Sequence, residues 1–189
     1  MNYQNDIKEA VEVLQNGGLI IYPTDTFWGI GCDPTNADAV KRVFDLTKRS
    51  NSDEVVVLVD SEVRLNSYVQ EIPEIAYDLI ELAEKPLTII YSGGKNIAEN
   101  LLSADGEIGI RVSGEDFSRS LCQRFRKPVV YIPAAMSGKP SPQNFGDVET
   151  GILEEVDFIV KYRQEELSIP AAAGIIRLGV DGQVEVIRE

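Results

Sequence analysis

Residues 55–59 read Val-Val-Val-Leu-Val, an unbroken apolar run in which most side chains are β-branched. Such a run is typical of a strand that is buried on both faces, because a strand with one solvated face alternates apolar and polar residues. A chain that contains such a strand is expected to fold in layers, with the strand inside a sheet and other elements packed on both sides.

Strands and helices alternate along the rest of the chain. The apolar spacing predicts helices over 7–14, 36–46, 75–83 and 117–125, and strands over 19–22, 27–33, 55–59, 86–91, 107–112, 128–132, 154–160, 174–178 and 184–187. Gly17-Gly18 should end the first helix, Asn36 should cap the second, and Asp181-Gly182 should form a hairpin turn. The mixture favours an α/β or α+β open twisted sheet, in one domain over residues 1–189, rather than a barrel or a bundle.

Composition excludes several classes of site. The absence of histidine excludes Ser-His-Asp and Cys-His nucleophile sites and every His-based metal site. Lys and Arg total 18 against 31 acidic residues, and the net charge of −13 disfavours broad nucleic-acid binding while leaving room for one basic nucleotide pocket. No apolar run reaches the roughly 18 to 20 residues of a membrane span. Residues 1–9 lack a secretory apolar core, so we expect a cytoplasmic location and no membrane partner.

The two cysteines, Cys32 and Cys122, have no spacing that indicates a metal site or a disulfide framework. Free Cys is among the most often buried residue types, so we expect two buried free thiols.

The most informative segment follows the first predicted strand. It reads Tyr22-Pro23-Thr24-Asp25-Thr26-Phe27-Trp28-Gly29, so proline ends the strand and two hydroxyls flank a carboxylate at its end. Strand ends commonly present ligand-binding groups. Thr and Asp also form turns by bonding their own backbone, and on residue chemistry alone the two interpretations stay open.

The segment is close to the Y-P-T-D-T-x-Y-G-L signature of YrdC-like proteins, with Trp28 in place of tyrosine and Ile30 in place of leucine. Further segments resemble family motifs in the same order along the chain. Residues 39–44 resemble the helix before the family's K-x-R loop, Pro86-Leu87-Thr88 resembles its P-G-P-L-T strand, and Gly109-Ile110-Arg111-Val112 resembles its R-V-P strand. Ser137-Gly138 resembles the end of its S-A-N-x-S-G loop, and Val186-Ile187-Arg188 resembles its I-L-R. The chain thus resembles the YrdC-like family over roughly residues 7 to 188.

The resemblance implies an open twisted mixed α/β sheet with a concave pocket and with helices on its faces. Family members are threonylcarbamoyl-adenylate synthases, which join L-threonine, bicarbonate and ATP into threonylcarbamoyl-AMP and pyrophosphate for the N6-threonylcarbamoyl modification of tRNA adenosine-37. The threonine amine takes up CO2 and the carbamate oxygen attacks the α-phosphate, so positioning and neutralisation of the phosphates by cations and Mg2+ carry the rate. The implied ligands are therefore L-threonine, bicarbonate and ATP with Mg2+. Whether the chain forms a homodimer is left open.

The resemblance also assigns eight site residues. They are Thr24, Asp25 and Thr26 for substrate binding, Arg49 and Lys48 for catalysis, and Arg111, Ser137 and Arg188 for nucleotide binding. Arg49 matches the arginine of K-x-R, and a guanidinium fork suits both phosphate and carboxylate. The alternative for each arginine is a surface ion pair. No metal-ligating residue of the protein is assigned.

Four segments of this pocket depart from the family pattern. The lysine of K-x-R aligns with Thr47, leaving Lys48 as a partial substitute, and a second lysine and its following proline align with Asp53 and Glu54. The serine and asparagine that bond the nucleotide are Pro133 and Ala135. The family's P-S-T-I-V strand reads Ala172-Ala173-Gly174-Ile175-Ile176 here, so both of its hydroxyls are gone. Proline, alanine and glycine have no side chain that donates or accepts a hydrogen bond. These changes make the pocket more apolar and less cationic.

Three hypotheses follow. The first is a threonylcarbamoyl-adenylate synthase, with turnover impaired because one lost charge-stabilising donor typically costs ~10²- to 10³-fold in rate. The second is a non-catalytic paralogue, a pseudoenzyme that binds another small molecule or a partner protein. The third is binding of double-stranded RNA or tRNA, against which the net charge of −13 counts. Catalysis would become implausible if Tyr131 or Met136 filled the nucleotide position.

Overall fold

Nine strands form one mixed sheet in the computed structural model, which describes residues 3–50 and 55–189. The strands are β1 Ile20–Tyr22, β2 Gly29–Gly31, β3 Val56–Val59, β4 Leu87–Tyr91, β5 Ile108–Val112, β6 Val129–Pro133, β7 Phe158–Ile159, β8 Gly174–Leu178 and β9 Val184–Arg188. Their spatial order is β7-β1-β2-β6-β3-β5-β4-β8-β9. Pairs β3–β5, β4–β8 and β1–β7 are parallel, and the remaining neighbours are antiparallel. The sheet is not closed, which confirms the predicted open mixed α/β class.

Helices cover both faces of the sheet. They are α1 Gln4–Gln15, α2 Ala37–Thr47, α3 Leu65–Tyr68, α4 Ile75–Glu81, α5 Asp116–Phe125 and α6 Thr150–Leu153, with short 3₁₀ turns at Glu62–Arg64, Glu99–Leu101 and Phe145–Asp147. Side chains alternate along β3, so Val56 and Leu58 pack with α1 and α5, whereas Val57 and Val59 pack in the core that contains α2. Burial of this strand on both faces confirms what its apolar run predicts.

The predicted helix ends have a direct physical cause. The first helix is closed by Gly17, whose φ of +75° favours glycine and whose amide donates to the Leu14 carbonyl. At the start of α2, the Asn36 side chain accepts hydrogen bonds from the amides of Asp38 and Ala39, as a helix cap does. Both predictions from the sequence are confirmed.

Part of one sheet face is left open. The cluster formed by α1 and α5 includes side chains of β1, β3 and β6 but does not extend to β4, β8 and β9. Over these uncovered strands lies a cavity of about 670 Å³ with Val56, Ile90, Gly109 and Ile175 along its floor. We call it the sheet cavity.

The strand predicted over 154–160 is wrong for most of its length. Residues 154–157 form a turn after α6, where the Glu154 amide donates to the Thr150 carbonyl, and only Phe158–Ile159 pair with β1. The reason is electrostatic, since the Asp157 carboxylate accepts from the Leu19 amide and pairs with Arg42 at 2.9 Å. A side-chain carboxylate thus takes the main-chain donor at this point of the sheet edge.

Both cysteines are free and buried, as their lack of motif spacing predicts. Burial raises the pKa of the Cys32 and Cys122 thiols well above the ordinary value, so neither is a ready nucleophile. Among the helices of the described ranges, none combines the length and the apolar character that a bilayer crossing requires.

Candidate functional site

The segment after β1 is a turn held by its own hydroxyls. Thr24 Oγ1 donates to the Phe27 carbonyl at 2.9 Å, accepts from the Thr26 amide at 3.1 Å and lies 3.2 Å from Thr26 Oγ1. Both threonines are buried, whereas Asp25 between them is partly exposed. The self-bonded turn that the sequence left open is therefore present, and it fixes the Asp25 carboxylate at the strand end.

Arg111 joins this turn from the middle of the sheet. It lies on β5 and is only 2% exposed, with its Nη2 atom 3.1 Å from Asp25 Oδ1 and 3.2 Å from Thr26 Oγ1. Its guanidinium carbon lies 4.7 Å from the centre of the Tyr131 ring, a cation–π contact. The Tyr131 hydroxyl accepts from Thr26 Oγ1 at 3.1 Å. We call Thr24, Asp25, Thr26, Arg111 and Tyr131 the strand-end cluster.

The position of Arg111 excludes the surface ion pair, and its assignment to nucleotide binding stays a prediction. It is not a surface ion pair, because its partner Asp25 is also about nine-tenths buried. It was assigned to nucleotide binding by resemblance, but its guanidinium already bonds two residues of the predicted substrate-binding turn. A buried cation with a carboxylate partner is costly to redirect, because the carboxylate would be left unpaired.

Arg49 connects two loops at the edge of the site. Its Nη2 atom donates to the Ala135 carbonyl over a long 3.5 Å, and its buried Nε atom has no hydrogen-bond partner among the described residues. Nearby, the Ser137 amide donates to the Thr47 carbonyl at 2.8 Å. The structure therefore brings Arg49 and Ser137 together across the loops that follow α2 and β6. The substituted positions Asp53 and Glu54 lie outside the described residues.

Lys48 lies elsewhere. It ends α2 with a left-handed φ of +57°, and its exposed side chain borders a surface groove with Leu46, Asp45 and Glu155. The residues that border this groove include none of the strand-end cluster. The structure therefore does not place the Lys48 amine with the other predicted site residues.

Arg188 borders the sheet cavity from β9. Its Nε atom donates at 2.9 Å to the carbonyl of Ala173, one of the two positions at which the chain lacks a hydroxyl of the family pattern. Arg177 borders the same cavity and pairs with Glu107 at 3.1 Å and with Glu185 at 2.6 Å. Among the described residues, the charged side chains that line the cavity are two arginines, Asp105 and Glu107, so the formal charges of this set cancel.

The loop after β6 is satisfied internally. The Ala134 amide donates to the Trp28 carbonyl and the Ala135 amide donates to the Pro133 carbonyl, so these two main-chain donors point into the protein. Tyr131 is buried beneath Arg111, and Met136 packs against the hydrophobic core that contains α2. Neither residue borders the sheet cavity.

The structure adds one residue that the sequence did not suggest. Arg163 donates from Nη1 to the Thr24 carbonyl at 3.2 Å and pairs with Glu115 at 3.4 Å and with Glu166. The hydrogen bond from Arg163 holds the pKa of the Glu166 carboxyl below its ordinary value, with a further contribution from Ser168. Arg163 thereby clamps the strand-end turn from a loop that lies between β7 and β8.

A family profile named Sua5_yciO_yrdC, described as telomere recombination, matches residues 12–189. The chain belongs to the Sua5/YciO/YrdC family. Curated relatives include the threonylcarbamoyl-AMP synthase of Pseudoalteromonas translucida (strain TAC 125), 27% identical over 187 residues, 97% of this chain and 98% of that protein. The enzyme of the same name from Coxiella burnetii (strain RSA 331 / Henzerling II) is 29% identical over 140 residues, 74% and 75% of the two chains.

Solved structures agree on the Sua5/YciO/YrdC fold. P. abyssi Sua5 in complex with L-threonine matches with a TM-score of 0.89 at 23% identity, covering all of this chain and 54% of that one. E. coli YciO matches with a TM-score of 0.83 at 22% identity, over 98% and 89% of the two chains. This chain therefore spans about half the length of P. abyssi Sua5 and most of YciO.

Proposed function

We propose that this chain binds L-threonine and ATP and forms threonylcarbamoyl-AMP and pyrophosphate, with bicarbonate as the carbon source and with a reduced turnover. The observation that carries the proposal is the strand-end cluster, where Thr24, Asp25 and Thr26 are held in a fixed turn by Arg111. A relative named threonylcarbamoyl-AMP synthase aligns with 97% of this chain, which supports the same reaction class.

The reaction places modest demands on acid–base groups. The threonine amine attacks CO2 released from bicarbonate, one carbamate oxygen then attacks the α-phosphate of ATP, and pyrophosphate departs with the metal ion of the ATP complex. The protein contributes by holding the reactants close and by compensating the charge on the phosphates. A chain without histidine can perform this chemistry.

The reduced turnover follows from the charges that face the ligands. Arg111 is committed to Asp25, and the exposed Lys48 lies on a separate groove. Pro133 and Ala135 supply no side-chain donor, and the charges of the described residues that line the sheet cavity cancel. Arg49 is the cation best suited to ATP, since its Nε atom is unpartnered among the described residues. The loss of one hydrogen-bond donor that stabilises the charge on the phosphates typically lowers the rate ~10²- to 10³-fold.

The test is titration calorimetry with L-threonine and with ATP and Mg2+, followed by an assay of pyrophosphate released in the presence of bicarbonate. We expect threonine-dependent release from the wild-type chain, lost in Arg49→Ala. Thr26→Val should weaken threonine binding, whereas the exposed Thr150→Val on α6 should not.

Threonine binding with no pyrophosphate release in any condition would contradict the proposed reaction and favour the non-catalytic paralogue. Release that does not depend on threonine would indicate a different nucleotide reaction.

A further inference from the structure

Tyr131 is a large aromatic residue at the centre of the strand-end cluster. It is 2% exposed, its ring lies under the Arg111 guanidinium and its hydroxyl accepts from Thr26. A short side chain at this position could make neither contact. Tyrosine therefore adds a physical link between β6 and the strand-end cluster.

The ring is held from the opposite side by the backbone of β2. A Cβ atom built on Gly29 would lie 2.5 Å from Cδ2 and 2.6 Å from Cε2 of Tyr131, so only glycine leaves room for the ring. On β3, Val56 is paired directly with Tyr131 and belongs to the same buried cluster. The ring is thus enclosed by three strands and has a fixed position from which to support Arg111.

Arg111 needs such support because it is buried in the middle of the sheet. Its contacts with Asp25 and Thr26 both use the Nη2 atom, which alone would leave the guanidinium plane free to tilt. The aromatic face beneath it restrains that plane, since a cation over a ring is attracted by the ring's quadrupole. Tyr131 also fixes Thr26, the second partner of Arg111, through its hydroxyl.

We propose that Tyr131 is a positioning residue: its ring sets the plane of Arg111 and its hydroxyl sets Thr26, and together they hold Asp25 and Thr26 in the geometry that receives the amino-acid substrate. The part that concerns the substrate rests on the proposed function. The part that concerns Arg111 does not, because it is a property of the protein without ligand.

The first measurement follows the Arg111 side chain by nitrogen-15 NMR, with its Nε–H signal assigned by loss in Arg111→Lys. In the wild type we expect a signal protected from exchange with water. Tyr131→Phe keeps the ring and should keep the signal, whereas Tyr131→Leu should speed its exchange at least tenfold. Unchanged exchange in Tyr131→Leu would overturn the positioning of Arg111 by the ring.

The second measurement is the Kd for L-threonine by calorimetry. Tyr131→Phe should raise the Kd about tenfold, equivalent to about 1.4 kcal/mol. The matched control is Tyr91→Phe, which removes another buried tyrosine hydroxyl, from the opposite face of the sheet, and should change the Kd less than about twofold. Equal affinity in wild type and Tyr131→Phe would overturn the role of the hydroxyl.

The two measurements separate the proposals. A wild-type chain that binds no threonine contradicts the proposed function, and the Arg111 exchange data still decide whether Tyr131 positions the guanidinium. If Tyr131→Leu does not fold, the Tyr131→Phe titration decides the hydroxyl's role, and exchange in Thr26→Val, which removes the hydroxyl's partner but keeps the ring, should stay slow. Fast exchange in that variant would overturn the ring's role.

Discussion

A buried cation requires a buried anion, and at the scale of single residues Asp25 and Arg111 meet this requirement. The two side chains are 10% and 2% exposed and their charged atoms are 3.1 Å apart. Removing one partner of such a pair leaves a charge without compensation in a medium of low dielectric constant, which costs more than the pair itself contributes. Under the proposed function, stability and threonine recognition therefore depend on the same atoms.

We predict that Asp25→Asn lowers the free energy of unfolding by about 3 to 5 kcal/mol, because Arg111 stays buried with no carboxylate partner. Urea denaturation measures the loss. The control is Asp45→Asn, which breaks an exposed pair with Lys41 whose side chains are 65% and 70% exposed, and should cost less than about 1 kcal/mol. The double variant Asp25→Asn/Arg111→Met should recover much of the loss. A small effect of Asp25→Asn would contradict the buried pair.

A second prediction at the scale of single residues concerns how the free energy of unfolding depends on pH. Arg163 holds the pKa of Glu166 below its ordinary value of 4.5, so this interaction stabilises the folded chain above that value and is lost as the pH falls through the lowered pKa. Glu166→Gln should therefore flatten the decline in unfolding free energy between about pH 5 and about pH 3. Urea denaturation over this range measures the slope. Arg163→Gln should flatten it as well, and an unchanged slope in both variants would exclude the interaction.

At the scale of elements, the close contact between β2 and β6 depends on the glycines of β2, and Gly29 lies closest to β6. Gly29→Ala would place a methyl group 2.5 Å from the Tyr131 ring, and overpacking of this kind typically costs about 1 to 3 kcal/mol. Thermal unfolding measures the change. Gly151→Ala on α6 is the matched control, since no atom lies within 4 Å of its added Cβ, and it should be neutral or stabilising. Equal effects of the two substitutions would show that the ring can move aside.

Most elements could be predicted from the sequence because their apolar spacing is set by the sheet and helix faces that they bury. The strand run at 55–59 and the Asn36 cap are examples. The 154–160 strand was wrong because its apolar residues pack around a turn, while Asp157 bonds the Leu19 amide 138 residues away. A local pattern contains no information about a partner so distant.

At the candidate site, too, a local sequence pattern did not reveal contacts with residues far away in the chain. The resemblance assigned the turn after β1 to the substrate and Arg111 to the nucleotide, and these assignments stay predictions. It did not indicate that Arg111 pairs with Asp25. Lys48 points away because α2 ends in a left-handed residue, a feature that depends on the exact last turn of the helix. Arg163 had no motif, since it acts on a main-chain carbonyl 139 residues earlier in the chain.

At the scale of the whole molecule, an acidic chain with a net charge of −13 must concentrate its positive charge locally to hold a triphosphate. The sheet cavity does not concentrate positive charge in this way, since Arg177 is paired with both Glu107 and Glu185. These carboxylates are partly exposed, so the pairs contribute little to stability and compete with an anionic ligand for the guanidinium.

We predict that Glu107→Gln lowers the Kd for ATP by roughly threefold or more, because it releases Arg177 from one carboxylate and removes one negative charge from the cavity lining. Calorimetry at constant Mg2+ measures the change. Glu81→Gln on the exposed end of α4 makes the same change in net charge away from the cavity and should leave the Kd nearly unchanged. A similar shift in both variants would indicate a general charge effect rather than a local one.

The order of the strands in the sheet also determines when each strand can find its partner during synthesis. The hairpin of β1 and β2 is complete by residue 31, yet the strand that receives it, β6, begins only at residue 129. During synthesis the hairpin therefore leaves the ribosome with an unpaired edge and must wait for about a hundred further residues. Contacts so distant in sequence form slowly, and an exposed strand edge invites association with other chains. Nascent copies of this protein are thus expected to rely on chaperones until β6 has been translated.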